Sequence, residues 1–357
     1  MAGIDTRALR AAWTVFLFGL LLAVIYYIRE TLVLFAVSIF AAYVLSPLVD
    51  GVERFGPAKR RGTALAIVYV LVIGLLVLAG FELIPTLVAQ AMSLLTRLPT
   101  LVSGGMLHNI PLPHFLEPMR AQVIAALNRE ATNLEASVVP FLQRAGAQIL
   151  TGLSAILPII LVPILAFFFL KDARTIRDSV LFLMGGEYRR TFEGILDGIH
   201  MVLRNYIRAL VLLSIASFCA WAVFLSMMRY PYELLLAGLA AVLEFIPVIG
   251  PAVALVIMCI VVLVTGSGGL LWIVVFWGCF RVFQDYVLNP YLMSSGIELH
   301  PLLVLFGVLA GEALAGIPGM FFSVPILAIL RVIYNHLQAA NRRKELSSAP
   351  IATVRSI

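Results

Sequence analysis

The chain has 357 residues, 62% of them hydrophobic and 12% charged, with a mean hydropathy of +1.04 and a net charge of +6. A soluble domain carries about 25% charged and about 45–50% apolar residues, so a soluble fold is excluded and lipid is the expected solvent. The positive charge does not point to nucleic acid, because the basic residues fill the gaps between apolar runs, as in cytoplasmic loops of membrane proteins.

Apolar runs fall at about 11–28, 31–48, 62–84, 148–170, 206–228, 232–264, 270–290 and 299–334. A span needs about 20 residues. Arg7 and Arg10 precede the first run, which ends in the bulky Ile25, Tyr26, Tyr27 and Ile28. That ending lacks the small residues of a cleavage site and predicts a retained span. The first two runs close around Arg29 and Glu30 and predict a helical hairpin. The third is bounded by Gly62 and Pro85, and the fourth stops at Lys171 and Asp172.

Between the third and fourth runs lies 85–147. Ile124, Leu127, Ala131 and Leu134 recur there at helical spacing, after Pro111, Pro113 and Pro118. An amphipathic helical excursion is predicted. The stretch 172–205, with Ile176, Val180, Phe192, Ile195 and Ile199, predicts a second amphipathic helix along the membrane interface.

Charge orients these pieces. One side collects Arg7, Arg10, Arg54, Lys59, Arg60, Arg61, Lys171, Arg174, Arg177, Arg189, Arg190, Arg204, Arg331, Arg342, Arg343, Lys344 and Arg355. By the positive-inside bias that side is the cytoplasm. Both termini are then cytoplasmic and 85–147 is external. The expected organisation is a three-helix membrane region at 1–84 and the external segment at 85–147. Spans with a cytoplasmic helix follow at 148–228, then a transport core at 229–334 and a cytoplasmic tail at 335–357.

The runs 232–264 and 299–334 are too long for one span. At 1.5 Å per residue each would reach roughly 50 Å, against a hydrocarbon core of about 30 Å. Each is broken at its centre, the first by Glu244, Pro247, Gly250 and Pro251, the second by Gly311, Glu312, Gly316, Pro318 and Gly319. Proline removes a backbone donor and clashes with the preceding turn. Irregular backbone at membrane depth is tolerated only inside protein or beside a wet cavity, and paired Gly/Pro interruptions mark transporter binding sites. Loop charge does not distinguish crossing from re-entry. The favoured reading is two hairpins entering from opposite faces. The expected class is thus an all-α integral membrane protein with about 6–8 transmembrane helices, including two re-entrant hairpins.

Glu82, Glu244, Arg281, Asp285 and Glu312 are the ionisable residues in or at the ends of these runs. Intramembrane charges are costly and usually mark a pathway. Glu244 and Glu312 sit beside the breaks and are candidate site residues; the bland alternative is a structural bond at a hairpin tip. Arg281 and Asp285, spaced i, i+4, can simply neutralise each other. Gln284, Asn289 and Pro290 make the end of that helix polar enough to line a cavity. Glu82 is expected to be solvated near an interface. Gly307 and Gly311 form a GxxxG, which indicates close helix packing.

Other chemistry finds little support. Cys219, Cys259 and Cys279 sit singly in apolar runs and read as buried hydrophobes. The histidines His108, His114, His200, His300 and His336 form no ligand pair. No metal and no cofactor is expected. No Walker A pattern is present, so a gradient is the expected energy source. Ser154, in a Gly-x-Ser-small string, is a weak nucleophile candidate because only His200 and His300 lie near spans as bases.

The segments "EFIPVIGPAVALV" (244–256) and "QDYVLNPYLMSSGIELHPLLVLFGVLAGEALAGIPGMFFSVPILAILRVI" (284–333) resemble the autoinducer-2 exporter family of bacterial membrane transporters. So do "FAAYVLSPLVDGVERFG" (40–56) and "PILAFFFLKD" (163–172). The resemblance implies a multi-pass inner-membrane protein that assembles as a homo-oligomer. It also implies export of a small polar solute such as autoinducer-2, or sodium or lithium/proton antiport. The partners it implies are the lipid bilayer and a small solute or monovalent cation.

Overall fold

The computed structural model describes residues 6–55, 61–103, 125, 129, 153–183, 185, 188–265, 268–292 and 299–348, and every regular element among them is helical. The helices are α1 (Thr6–Tyr27), α2 (Arg29–Phe55), α3 (Arg61–Ser103), α4 (Leu153–Phe182), α5 (Tyr188–Met227), α6 (Glu233–Leu243), α7 (Ile249–Thr265), α8 (Leu270–Leu292) and α9 (Pro301–Ser348). Five stretches are long and apolar enough to cross a bilayer: Arg29–Arg54, Arg61–Leu94, Arg189–Met227, Leu270–Leu292 and Pro301–Arg342. The protein is an all-α, multi-pass membrane protein. Ile124, Leu127, Ala131 and Leu134 of the expected external helix lie outside the described residues.

Four sequence expectations change. The first two runs do not form a hairpin. The Ile28 N–H bonds the Val24 carbonyl at 3.0 Å and the Leu32 N–H bonds the Ile28 carbonyl at 2.9 Å, so helical bonding runs across the junction. The α1 side chains from Leu9 on that are described are all exposed. Arg29 and Glu30 are ordinary helix formers, and charge without Gly or Pro supplies no reversal.

The third span does not stop at Pro85, since α3 continues to Ser103. One proline removes a single ladder bond, and a long helix absorbs it. Nor does α4 end at Lys171 and Asp172; it runs on to Phe182. Likewise α5 runs unbroken from Tyr188 to Met227, joining the amphipathic stretch to the following span. Arg177 on α4 reaches Asp197 at 2.9 Å and Glu193 at 3.4 Å on α5. The segment 172–205 is therefore shared between the end of α4 and the start of α5 rather than forming a separate helix. Last, Cys219 and Cys279 are exposed and Cys259 is half-buried, because an apolar residue in this protein is equally at home on the lipid-facing surface.

Two apolar clusters organise the interior. Val49, Ala64, Leu65, Val68, Ala166 and Leu170 tie α2, α3 and α4 together. Trp221, Leu225, Leu236, Ala240, Met258, Val261 and Ile273 tie α5, α6, α7 and α8.

Both over-length runs fold back. In the first, α6 and α7 are arms of about 16 and 25 Å, joined by Glu244–Val248, with Val248 at φ 67°. At the base of this hairpin the Tyr230 hydroxyl bonds the carbonyls of Gly268 (3.2 Å) and Gly269 (3.0 Å). The chain therefore leaves where it entered. In the second, α9 breaks at Ala315 and Gly316, and Gly316 takes φ 62°, ψ −141°, which glycine adopts without strain. A Cβ on Gly311 would strike the Gly319 carbonyl, a Cβ on Gly319 would strike Gly311, and Gly307 faces Ser323 and Leu327. Residues equidistant from 315 thus meet, as in an antiparallel helical hairpin. The helix α8, 23 residues and about 34 Å long, joins the base of one hairpin to the base of the other. The hairpins thus flank α8 in the chain, a helix long and apolar enough to cross a bilayer.

Candidate functional site

The tip of the first hairpin packs against the flank of the second. Phe245, in the first break, lies 5.5 Å from Phe321, just past the second, and Phe40 of α2 stacks edge-on against both. Breaking a helix at membrane depth strands backbone groups, each of which must find a partner. At the first tip they do. The Ser214 hydroxyl donates to the Ala241 carbonyl at 2.8 Å and the Trp277 indole donates to the Pro251 carbonyl at 3.1 Å. The Gly250 N–H bonds the Ile246 carbonyl there, while at the opposite end of α6 Gln90 accepts from the Leu235 N–H at 3.0 Å. A side chain on Gly250 would collide with the Leu243 carbonyl.

Beside this tip lies an ionic cluster. The Glu244 side chain is only 9% exposed. It accepts a short bond from the Gln284 amide, which is itself buried, and lies within hydrogen-bonding reach of the Ser217 hydroxyl. Arg281 serves two carboxylates: its Nη1 is 3.7 Å from Glu244 and its Nε is 3.1 Å from Asp285. It also donates to the Gln284 side chain at 3.4 Å. The Asn289 amide donates to Asp285 at 3.1 Å. The i, i+4 pairing read from the sequence exists, but Arg281 is not used up by it. One guanidinium shared by two carboxylates leaves a formal charge of about −1 in a partly desolvated place, where charge interactions are less screened than in water.

A wide π-helical turn at Gln284–Leu288 carries these groups, with the Asn289 N–H bonded to the Gln284 carbonyl. Single π turns inside α-helices frequently sit at functional sites.

A cavity of about 300 Å³ opens next to the cluster. Glu244, Pro247, Val248 and Pro251 of the first tip line it, with Arg281 and Asn289 of α8. Leu299, Val304, Val324 and Ala328 of the second hairpin and Val202, Asn205, Tyr206, Leu210 and Leu213 of α5 complete it. Two of the lining residues also carry a buried polar atom without a partner, the Tyr206 hydroxyl and Asn289 Oδ1, both closed off from the open space. Burying such an atom costs about 1–3 kcal/mol.

The structure thus gathers Glu244, Pro247, Gly250, Pro251, Arg281, Gln284, Asp285 and Asn289 in one place. Pro290 follows on the exposed face of α8. Glu312 is exposed and, like Gly316, Pro318 and Gly319, belongs to the second tip rather than to the cavity wall. Glu82 is exposed on α3. Among the described residues no group of His, Cys, Asp or Glu is arranged to hold a metal ion. His200 bonds the Tyr43 hydroxyl at 3.0 Å, His300 accepts from the Leu302 N–H at 3.3 Å, and the side chain of Ser154 lies outside the described residues. Sequence reading missed Tyr206 and Ser217. Each sits in an apolar run where one hydroxyl carries little signal; the neighbouring Asn205 was the available hint.

Comparison with known proteins places the chain among membrane transport proteins. The chain is 25% identical over 308 residues to "Putative transport protein YrrI" of Bacillus subtilis (strain 168), covering 84% of each chain. It is 27% identical over 320 residues to "Putative permease PerM" of Escherichia coli (strain K12), covering 87% of this chain and 88% of that one. A "Putative transport protein" of Methanothermobacter thermautotrophicus is 26% identical over 317 residues, 87% of this chain and 88% of that one. Residues 15–339 match the family described as "AI-2E family transporter", and with nearly the whole chain matched, this membrane protein belongs to that transporter family.

Proposed function

We propose that this protein is a secondary transporter of the bacterial inner membrane that exports a small polar solute, such as autoinducer-2, at the expense of a proton or ion gradient. Its pathway runs through the cavity between the hairpins. The observation that carries this reading is the meeting of two broken hairpins at a cavity holding a shared arginine and two acids. Glu244, Arg281, Gln284, Asp285 and Asn289 form the polar wall; Pro247, Gly250 and Pro251 shape the first tip, and Glu312, Gly316, Pro318 and Gly319 the second. Pro290 ends the polar stretch of α8. The basic stretches around Arg54–Arg61, Lys171–Arg204 and Arg331–Arg342 face the cytoplasm, and the protein works as a homo-oligomer.

A second reading rests on the charge imbalance. Two carboxylates and one guanidinium can bind and release a proton or a monovalent cation, which supports sodium or lithium/proton antiport. Flux into vesicles loaded with autoinducer-2, sodium, lithium or potassium, with and without a pH gradient, separates the two. Gradient-driven autoinducer-2 flux supports export. Cation/proton exchange abolished by Glu244→Gln supports antiport, and flux of every probe unaffected by the gradient overturns both.

A further inference from the structure

On the side of α5 and α8 away from the ionic cluster, the two helices leave an open groove of about 510 Å³. Cys219, Val223 and Met227, at successive turns of α5, form one wall, and Phe276, Cys279 and Phe283 of α8 form the other. Every lining residue is Ala, Val, Met, Phe or Cys. Phe224 and Phe276 stack at 4.0 Å with their planes 8° apart, and Phe280 continues the stack 6.0 Å from Phe276. Rings packed in this way give the groove a fixed apolar floor. Along α5 it extends from residue 219 to residue 227, about 12 Å. That is close to the depth of one leaflet, half of a hydrocarbon core of about 30 Å.

The Met227 end of the groove carries the marks of a membrane interface. The Tyr230 hydroxyl ties this end of α5 to Gly268 and Gly269 at the start of α8. Trp272, on the first turn of α8, is 57% exposed there, as interfacial tryptophans are. Arg229 is exposed and its Cα lies within about 7 Å of that of Met227. Among the described residues no carboxylate pairs with it, not even Glu233 four residues on. A guanidinium matches a phosphate in geometry as well as in charge. An unpaired arginine at the mouth of an apolar groove of leaflet depth thus complements an anionic head on an acyl chain.

We infer that the α5–α8 groove seats one acyl chain of an anionic phospholipid of the surrounding bilayer, with Arg229 holding its phosphate. Phe280 lines both this groove and the small enclosed space beside Glu244, Arg281 and Gln284. A single ring therefore stands between the seated chain and the ionic cluster, and the lipid braces that ring from outside. The site does not depend on what the protein carries.

The test uses the full-length protein in detergent, stripped of lipid, with phosphatidylglycerol as the anionic probe and phosphatidylcholine as the contrast. Native mass spectrometry counts bound lipid and thermal unfolding reads its effect. The wild type should bind phosphatidylglycerol saturably, about fivefold more tightly than phosphatidylcholine, and unfold at a higher temperature with it. Arg229→Gln should abolish the preference by weakening phosphatidylglycerol about fivefold. Its melting temperature without lipid should stay that of the wild type, since no ion pair is lost. Val223 is 59% exposed, so Val223→Trp can fill the groove without entering the core; it should abolish saturable binding of either lipid. Equal binding of the two lipids by the wild type means a non-selective annular lipid only and overturns the inference. Phosphatidylglycerol affinity unchanged in Arg229→Gln, or in Val223→Trp, overturns it as well. So does a bis-maleimide cross-link between copies of the lipid-saturated protein that is lost in Cys219→Ser with Cys279→Ser, because a second copy would then cover the groove.

Discussion

The two hairpins look alike in sequence, each an over-length apolar run with a glutamate beside a Pro/Gly break, yet they are built on different physics. The first is closed by side chains. Ser214 and Trp277 take up its loose carbonyls, and Glu244 is held among Gln284, Ser217 and Arg281. The second is closed by the absence of side chains, backbone against backbone at Gly311 and Gly319, and its glutamate is exposed and no part of the cavity wall. A buried charge fixes a tip only where partners surround it, and the partners come from α5 and α8, which embrace the first hairpin.

Substitutions should separate these two modes. The largest effect is expected at Arg281→Leu, which leaves Glu244 and Asp285 without their cation. Removing one partner of a buried pair costs about 3–5 kcal/mol; because Arg281 is 30% exposed, the loss should lie at the low end. The double change Arg281→Leu with Glu244→Gln should recover much of it, measured by thermal unfolding in detergent. Failure of the double change to recover stability would show that Arg281 acts by packing. Next comes Gly319→Ala, which drives a methyl into the Gly311 backbone and should cost about 1–3 kcal/mol by overpacking. An unchanged melting temperature there would disprove the backbone contact.

Trp277→Phe should cost about 1 kcal/mol by orphaning the Pro251 carbonyl, read as a few degrees of melting temperature. The smallest effect is expected at Glu312→Gln: within about 0.5 kcal/mol, with flux close to wild type. A large loss of flux in that variant would make the second tip an equal partner in transport and erase the difference between the hairpins.

Much of this was legible from residues alone. Length against bilayer thickness identified both broken runs, and the cost of charge in lipid identified Glu244, Arg281 and Asp285. What stayed hidden depends on three-dimensional partners. Nothing in the spacing of Glu244 and Glu312 tells which one meets an arginine 37 positions away. The GxxxG at Gly307 and Gly311 signals closeness, but its partner, the other arm of the same hairpin, is fixed only by the reversal at Gly316. The continuation of α3 past Pro85 and of α4 past Lys171 was hidden because polarity marks where lipid ends, not where a helix does. Tyr206 was illegible because an aromatic residue in an apolar run looks the same whether its hydroxyl is satisfied or not.

The π-helical turn in α8 has a geometric consequence for everything downstream of it. One extra residue in a helical turn rotates the following residues by about 100° around the axis. The residue pair Asp285 and Asn289 straddles that phase slip, so Asn289 faces the cavity while the helix on either side keeps its own lipid-facing stripe. Deleting a single residue between Tyr286 and Leu288 would restore a regular helix but could not keep both ends of α8 and Asn289 where they are, because Asn289 and the end of α8 lie beyond the slip and turn together.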